Sequence, residues 1–258
     1  MRIHPSAVVD PGAELHPSVR VDAHAVIDAD VVIGADCHIG SNVRIHSGSR
    51  IGRRNRFDHG AVIGCEPQDL GYREELGRPL VIGDDNHFRE GVNISRGIKS
   101  EQGTRIGNHN YLMAMSHVAH DCLVGDHNIF ANSATLGGHC VVEHHVFLSG
   151  LTAVHQFARV GAYALLSGLS GASRDVPPYV IADGHRAEVV GLNLVGLRRA
   201  GFDAGARRAL KRALRLLYRS GLRQQQALEA LERDAPSPEV RHLIDFVRAS
   251  ERGILPHR

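Results

Sequence analysis

The chain has 258 residues, of which 43% are hydrophobic, and its formal net charge is +2 when its 18 histidines are counted as neutral. This composition is typical of a globular protein with a sizeable core, and so small a charge gives no argument for a nucleic-acid partner. No window approaches the roughly 18 uninterrupted apolar residues of a membrane span, and the first residues lack an apolar segment of signal-peptide length. We therefore expect a cytoplasmic protein with no membrane span.

The four cysteines lie at positions 37, 65, 122 and 140 and form neither a CxxC pair nor a zinc-ribbon spacing. Reduced thiols in a reducing compartment fit this pattern best.

A six-residue repeat runs through most of the chain. Each hexad opens with a large apolar residue and has a small residue at its fifth position, as in VDAHAV and IGADCH. The repeat extends from Ile3 to Ile63, from Ile82 to Ile94, and from Ile106 to about Gly171. Period six fits neither an α-helix nor a long alternating strand, but it fits short strands joined by turns, with three hexads to a triangular coil. The sequence therefore predicts a parallel β-helix.

Two excursions interrupt the repeat, one near residues 65–81 and the other near 98–105. Residues that leave a regular coil are free to line a site. Because the excursions lie on either side of the short middle run, we favour a functional role for them over tolerated surface insertion.

The repeat ends near DVPPYV, residues 175–180, where consecutive prolines remove backbone donors from the strand ladder. Helical patterning follows at about 204–220, 224–232 and 238–250. In the first of these helices the apolar residues share one face, and four arginines share another: Arg208, Arg212, Arg215 and Arg219. The prediction is an all-β parallel helix over residues 1–186 followed by a C-terminal α-helical domain over 187–258.

Residues 18 apart lie over one another when three hexads make one coil. This spacing brings six chemically capable residues together from three coils: His120, Asp121, Gly138, His139, His155 and Gln156. An imidazole beside a carboxylate is a competent general base, and a glycine one coil above it can offer an unobstructed N–H to an oxyanion. Three histidines in adjoining columns favour a catalytic cluster over outward-facing turn residues.

A metal centre is the other chemistry that clustered histidines suggest. Imidazole is the commonest zinc ligand, but no carboxylate or cysteine completes a familiar ligand spacing here. Cys122 and Cys140 stack one coil apart, yet both occupy the inward fifth position, where small residues pack. No metal and no cofactor is therefore expected.

Six segments occur in a characteristic order over nearly the whole chain: AHDC, NSATLGGH, TAVHQF, SGASRDVPPYVIADG, GLNLVGLRRAGF and LYRSG. This order resembles the UDP-N-acetylglucosamine O-acyltransferases of lipid A biosynthesis, a family of hexapeptide-repeat enzymes. The resemblance implies a left-handed β-helix, although spacing alone gives no reason to depart from the right-handed rule for parallel crossovers. It also implies a homotrimer with active sites between subunits, and transfer of a 3-hydroxyacyl group from acyl carrier protein to the sugar 3-hydroxyl of UDP-N-acetylglucosamine.

By the same resemblance His120 is the expected general base, Asp121 its orienting partner and Gly138 the oxyanion donor. Contacts to the sugar nucleotide and to the pantetheine arm of the donor are implied for a further set of residues: Asp69, His117, Asn132, His139, His155, Gln156, Asn193 and Arg199.

The length of the acyl chain is implied to depend on the residue at position 168. With hydrogen as the side chain of Gly168 a long acyl group should be admitted, although Leu165 nearby could narrow the channel. The alternative is that Gly168 only satisfies a turn with positive φ.

The chain departs from the family pattern at three positions associated with the UDP moiety. Gly71 stands where a lysine is usual, Val195 replaces an acidic residue, and Ala200 replaces an arginine. The acceptor could thus be a UDP-3-amino sugar or a sugar without UDP. A metal-dependent hydratase on the same fold is the alternative from another class.

The arginine-rich helix face is expected to meet the acidic carrier protein. An ordinary solvated face is the alternative reading of the same spacing.

Overall fold

The structure is a computed structural model that describes residues 2–258. Short strands alternate with turns over the first two thirds of the chain. The strands up to the first excursion are β1 (Arg2–Ile3), β2 (Val8–Val9), β3 (Glu14–Leu15), β4 (Arg20–Val21), β5 (Val26–Ile27), β6 (Val32–Ile33), β7 (His38–Ile39), β8 (Arg44–Ile45), β9 (Ser49–Ile51), β10 (Arg56–Phe57) and β11 (Val62–Cys65). Those of the middle of the chain are β12 (Leu80–Ile82), β13 (His87–Phe88), β14 (Asn93–Ser95), β15 (Thr104–Ile106), β16 (Tyr111–Leu112), β17 (His117–Val118), β18 (Leu123–Val124), β19 (Ile129–Phe130) and β20 (Thr135–Leu136). The last are β21 (Val141–Val142), β22 (Phe147–Leu148), β23 (Ala153–Val154), β24 (Arg159–Val160), β25 (Leu165–Leu166), β26 (Gly171–Ala172), β27 (Val180–Asp183) and β28 (Glu188–Leu192).

Up to β26, every third strand belongs to the same sheet, so the three sheets form the faces of a triangular prism. The first sheet, which begins with β1, has 11 strands, the second, which begins with β2, has nine, and the third, which begins with β3, has eight. Neighbouring strands are parallel except β27 and β28. In the regular coils partners are 18 residues apart, as for His117 and Thr135. The predicted parallel β-helix and its 18-residue stacking are confirmed.

The hexad pattern follows from what each position must do in a coil. The large apolar residue that opens each hexad fills the interior, and Ile27, Ile33 and Ile39 are at most 1% exposed. The fourth position turns the corner with positive φ, as at His24 and Asp30. Asn, Asp and His enter this left-handed region more readily than most residues, which explains why polar residues recur there.

Buried asparagines form a ladder along the edge between the third and first sheets. Asn86 Nδ2 donates to Asn55 Oδ1 at 3.0 Å, and Asn110 Nδ2 donates to Asn86 Oδ1 at 3.0 Å. Asn128 continues the ladder through its backbone N–H, which donates to Asn110 Oδ1 at 2.9 Å. All four side chains are at most 2% exposed. A buried polar network satisfied in this way rigidifies the edge and fixes the coil register.

The two excursions leave the prism from the second sheet and return at the third. The first follows β11 and contains a 3₁₀ turn at Glu74–Leu76, and the second follows β14. They contact one another, since the backbone N–H of Arg78 donates to the carbonyl of Gly97 at 2.9 Å.

Four helices follow the β-helix: α1 (Leu194–Arg199), α2 (Ala204–Arg219), α3 (Gln224–Arg233) and α4 (Pro238–Arg248). The last three match the helices predicted from the sequence, whereas α1 has only six residues and too short a pattern to be recognised. The boundary predicted after residue 186 falls in the turn between β27 and β28, so the segment predicted to be helical begins with a strand. None of the helices in residues 2–258 is both long enough and apolar enough to cross a membrane.

The helical segment is attached to the last coil through buried polar contacts. Asp175, which is 1% exposed, accepts from the Ser250 hydroxyl at 2.7 Å and from the Arg159 N–H at 2.9 Å. The Arg159 guanidinium lies 4.2 Å from the centre of the Phe246 ring. These contacts hold α4 against the end of the β-helix.

We expect Asn86→Ala to lower the free energy of unfolding by about 2–4 kcal/mol, because two neighbouring asparagines lose a partner and each unsatisfied buried group costs about 1–3 kcal/mol. Denaturant titration at fixed protein concentration measures the change. Gln225→Ala, on the exposed surface of α3, is the control and should change stability by less than about 0.5 kcal/mol. A loss below about 1 kcal/mol in Asn86→Ala would mean that the ladder rearranges without it.

Candidate active site

Three stacked turns between the second and third sheets form the edge that carries the predicted catalytic residues. These turns span residues 119–122, 137–140 and 155–158. Asp121, His139 and Phe157 occupy the corner position of each turn, with φ of 59°, 61° and 65°. The edge therefore places side chains from three distant segments one coil apart, as the 18-residue spacing predicts.

His120 and Asp121 form a buried hydrogen-bonded pair. The His120 Nδ1 lies 2.8 Å from the Asp121 Oδ2, and the two residues are 9% and 4% exposed. When Nδ1 donates its proton to the carboxylate, the Nε2 of His120 keeps its lone pair. This is the arrangement of an oriented general base.

The second excursion holds Asp121 in place from the other side. The Asp121 Oδ1 accepts from the backbone N–H groups of Ile98 at 3.1 Å, Lys99 at 3.2 Å and Ser100 at 2.9 Å. Burial opposes ionisation, but the hydrogen bonds from His120 and from these amides outweigh it and lower the pKa of Asp121. The residue is consequently a carboxylate that can stabilise a protonated His120.

Gly138 lies directly over the His120 ring. A Cβ at this position would be 2.7 Å from the His120 Nε2, so no larger residue fits without moving the imidazole. The glycine is buried, and its N–H has no hydrogen-bond acceptor within residues 2–258. A free amide beside the base is able to donate to a developing oxyanion.

His139 completes the buried cluster one coil above Asp121. Its Nε2 lies 3.7 Å from the Asp121 Oδ2, and its ring stacks on Phe157 with centroids 4.6 Å apart. Burial lowers the pKa of His139, which favours the neutral ring at neutral pH. His120, Asp121 and His139 bring ligand atoms within 4.8 Å of one another, a spacing that a metal ion could use. An ion would compete with the hydrogen bonds that already occupy both Asp121 oxygens.

His117 lies in the same coil as His120 and is oriented by a chain of polar contacts. Its Nδ1 is 2.7 Å from the Asn93 Oδ1, and the Asn93 Nδ2 donates to the Cys65 sulfur at 3.4 Å. Burial lowers the pKa of His117, so the neutral ring is favoured. Its Nε2 has no hydrogen-bond partner within residues 2–258 and is available as an acceptor.

His155 and Gln156 lie one coil beyond Gly138 and are exposed. The His155 Nδ1 lies 3.1 Å from the Gln156 carbonyl oxygen and 3.4 Å from an Arg252 nitrogen. His155 also lines a pocket of about 600 Å³ together with Arg174 and Arg186.

Asp69 is the predicted site residue supplied by the first excursion. Its Oδ1 accepts from the Gly71 N–H at 2.7 Å, and its Oδ2 lies 3.2 Å from the Lys99 Nζ. These two partners lower the pKa of Asp69. Sequence reasoning did not single out Lys99, although this residue is one of only two lysines in the chain and lies in an excursion expected to line a site.

The predicted nucleotide contacts lie on another edge of the prism. Asn193 and Arg199 line a pocket of about 440 Å³ between the first sheet and α1, and Leu165, Val195 and Ala200 line the same pocket. The Asn193 side chain caps α1 by accepting from the Gly196 N–H at 3.0 Å. It also donates to the Tyr163 carbonyl at 2.9 Å, so both polar atoms of Asn193 are engaged within the chain.

Gly168 lies on the third edge, in a column with Asn132 and Gly150. The residue after each of these three positions donates its backbone N–H to a carbonyl of the preceding coil. That of Leu169, for example, donates to the Gly150 carbonyl at 3.0 Å. The left-handed residue in this turn is Leu169, with φ of 61°, and not Gly168. The alternative that Gly168 satisfies a turn with positive φ is therefore wrong. A Cβ at Gly168 would meet only the Gly150 carbonyl, at 3.5 Å.

The predicted site residues thus occupy three separate edges of one chain. Asp69, His117, His120, Asp121, Gly138, His139, His155 and Gln156 belong to the edge between the second and third sheets. Asn193 and Arg199 belong to the edge between the third and first sheets, and Asn132 and Gly168 to the edge between the first and second.

Two family models match the chain. Hexapeptide repeats of bacterial transferases match residues 30–65 and 103–138, and the second domain of UDP-N-acetylglucosamine O-acyltransferase matches residues 175–255. The latter begins before the boundary that the sequence predicted at residue 187.

Curated relatives and a solved structure agree with these matches. An acyl-[acyl-carrier-protein]–UDP-N-acetylglucosamine O-acyltransferase from Anaeromyxobacter sp. (strain Fw109-5) is 51% identical over 256 residues, covering 98% of this chain and 99% of that protein. The protein of the same name from Burkholderia orbicola is 46% identical, again over 98% of this chain and 99% of that one. The UDP-N-acetylglucosamine acyltransferase of Francisella novicida superimposes with a TM-score of 0.96 at 34% identity, covering 98% of this chain and 94% of that chain.

The left-handed β-helix with a C-terminal helical segment is therefore confirmed, and the chain belongs to the family of acyl-carrier-protein-dependent UDP-N-acetylglucosamine O-acyltransferases.

Proposed function

We propose that this protein transfers a 3-hydroxyacyl group from an acyl carrier protein thioester to the 3-hydroxyl of UDP-N-acetylglucosamine, the first step of lipid A biosynthesis. The observation that carries the proposal is the buried His120–Asp121 pair beneath Gly138, whose N–H has no acceptor within residues 2–258. A base and an oxyanion donor so close together suit attack of a hydroxyl on a carbonyl. The relatives of the chain, named for this activity, supply the substrates.

The reaction needs only groups that the chain and its substrates provide. The Nε2 of His120 takes the proton of the sugar 3-hydroxyl as the oxygen attacks the thioester carbon. The carbonyl oxygen becomes an oxyanion that accepts from the Gly138 N–H, while Asp121 stabilises the imidazolium. When the intermediate collapses, the thiolate of the pantetheine arm leaves and His120 returns the proton to its sulfur.

A homotrimer is part of the proposal. The residues assigned to chemistry, to the nucleotide and to the acyl chain lie on three different edges of one prism. A cyclic assembly brings an edge of one copy against a different edge of the next, so that each site is completed between two copies. Exposed apolar side chains on the Gly168 edge support such a contact or an acyl groove, since Met115, Leu151 and Leu169 are 66%, 63% and 68% exposed.

A cytoplasmic location is also proposed. All four cysteines are free thiols, and three of them are buried. Thiols that remain unpaired in this way are typical of a reducing compartment.

The carrier protein is proposed to dock beside α2. All four arginines of its polar face are exposed, but Arg212 is paired with Asp234. Arg215 and Arg219 join Lys211 around a pocket of about 590 Å³ whose wall includes Leu192, and the lining contains no acidic side chain. The positive charges of these three side chains are not compensated within the pocket and can attract an acidic partner, so we propose that the carrier protein docks around it.

His120→Ala is expected to reduce turnover about 10²- to 10⁴-fold, the usual contribution of a positioned general base, while a cooperative thermal transition shows that the protein remains folded. Steady-state kinetics with a carrier-protein thioester and UDP-N-acetylglucosamine measure the loss. His59→Ala, an exposed histidine of an earlier coil, is the matched control and should keep full activity.

Treatment with a chelator separates acyl transfer from the metal-dependent alternative that the His120, Asp121 and His139 cluster allows. We expect turnover to be unaffected by chelation. Loss of activity on chelation and its recovery on adding zinc would instead favour metal chemistry at these three residues.

Gly168→Met is expected to shift the donor preference toward acyl chains roughly four carbons shorter, because the new side chain fills the space of several methylene groups worth about 0.8 kcal/mol each. Competition among carrier thioesters of different lengths, read by mass spectrometry, measures the preference. Leu222→Met, at an exposed leucine between α2 and α3, is the control and should leave it unchanged. An identical length profile for Gly168→Met would exclude this residue as the length determinant.

Charge reversal at Arg215 and Arg219 together is expected to raise the KM for the carrier-protein thioester and to weaken its dependence on salt. The KM for the sugar nucleotide should not change. Reversal at Arg208, which does not line the pocket, is the comparison. Equal effects of both changes would show that the pocket has no special role.

A further inference from the structure

Lys99 joins the two excursions at the mouth of the catalytic edge. Its backbone N–H lies 3.2 Å from both carboxylate oxygens of Asp121, which fixes the main chain beside the proposed base. Its Nζ lies 3.2 Å from the Asp69 Oδ2. One residue is therefore connected to the catalytic aspartate through its amide and to the first excursion through its side chain.

The ammonium group of Lys99 is bound by Asp69 but keeps hydrogen-bond donors for a further ligand. An ammonium has three donors, and the Asp69 oxygen is the only partner of this one within residues 2–258. The side chain is 63% exposed, whereas that of Asp69 is 23% exposed. The other oxygen of Asp69 is bound by the Gly71 N–H, so Asp69 is itself fixed and acts as a support for the lysine.

Holding the two excursions together does not require this ion pair. The backbone N–H of Arg78 bonds the Gly97 carbonyl at 2.9 Å, and that of Arg96 bonds the Cys65 carbonyl at 3.0 Å. An exposed ion pair adds little to such a backbone connection. The ion pair is therefore not needed to hold the excursions together. The Lys99 ammonium, which lies beside the proposed reacting groups and keeps donors without a partner in residues 2–258, is available to bind an anionic ligand.

We propose that Lys99 is a substrate-binding residue whose ammonium contacts the diphosphate of the sugar nucleotide. This inference rests on the proposed function. The diphosphate is attached to C1 of the sugar, two ring carbons from the 3-hydroxyl that His120 must reach. The phosphate of the carrier protein is separated from the thioester by the whole pantetheine arm. Because the backbone N–H of Lys99 is bonded to Asp121, its ammonium is in range of the diphosphate. Lysine binds phosphate as a compact point charge.

The test compares Lys99→Met with Lys99→Arg. We expect Lys99→Met to raise the KM for UDP-N-acetylglucosamine about 10- to 100-fold, the range for loss of a charged hydrogen bond, while kcat changes by less than about threefold. Lys99→Arg keeps the charge and should recover most of the affinity. Arg73→Met removes another exposed cation of the excursions and is the matched control.

Binding of UDP alone, measured by calorimetry without an acyl donor, isolates the phosphate contact from catalysis. The dissociation constant of UDP should rise by the same factor in Lys99→Met, and the KM for the carrier-protein thioester should stay constant. A purely structural lysine would instead change the thermal transition and both substrates together.

A second substitution offers a rescue. A Cβ at Gly71 would lie 3.1 Å from the Asp69 Oδ1 with no other contact within 4 Å, so a lysine there can place its ammonium beside the same carboxylate. We expect Gly71→Lys to restore UDP binding in the Lys99→Met background.

The outcomes separate this inference from the function on which it rests. A wild-type protein that acylates no UDP-sugar overturns the proposed function. Wild-type transfer to UDP-N-acetylglucosamine, with unchanged UDP affinity in Lys99→Met, overturns only the role of Lys99. A rise confined to the carrier-thioester KM also overturns it, because the ammonium would then bind the phosphate of the pantetheine arm.

Discussion

The whole structure depends on the hydrogen bonding of each coil to the next. Strands of two residues have no stability of their own, and each is held only by the coil on either side. The same ladder continues through the turns, where the N–H of His139 donates to the His120 carbonyl at 3.0 Å and that of Phe157 to the Gly138 carbonyl at 2.9 Å. These bonds fix the vertical spacing between His120, the proposed base, and Gly138, the proposed oxyanion donor. The geometry of the site is therefore a property of the repeat and not of a flexible loop.

The regular coil supplies the rigidity of the site, and the second excursion stabilises the negative charge of Asp121. Asp121 is a buried carboxylate, which is costly unless it is fully hydrogen-bonded. The coil provides one donor to its carboxylate, from His120, and the second excursion provides three backbone amides. The residues of the second excursion thus allow the β-helix to carry an ionised Asp121 at this edge. This is a physical reason for an otherwise regular solenoid to be interrupted beside the turns that carry the proposed catalytic residues.

Much of this arrangement follows from arithmetic on the sequence. A strict period of 18 places His120, Gly138 and Gln156 in one column, and the structure agrees because no residue is inserted between those coils. The same arithmetic says nothing about the excursions, which have no repeat, and so Lys99 could not be placed beside Asp69. Asn193 shows another limit, because resemblance indicates a ligand contact while its side chain caps α1. Capping depends on where a helix begins, and α1 is too short for its start to be recognised from pattern alone.

The distribution of the remaining site residues follows from the shape of the prism. A triangular coil has three edges that face in different directions, and one chain cannot fold an edge onto its neighbour without breaking the ladder. The pocket with Arg199 and the column ending in Gly168 therefore cannot approach His120 within a single copy by any local rearrangement. The proposed substrates would contact the proposed base, nucleotide pocket and acyl groove at once, which would bring the edges of different copies together, as in the proposed homotrimer. Rigidity within the chain is a consequence of the repeat, and the proposed assembly between chains follows from that rigidity, since a scaffold that cannot bend would complete such a site by association.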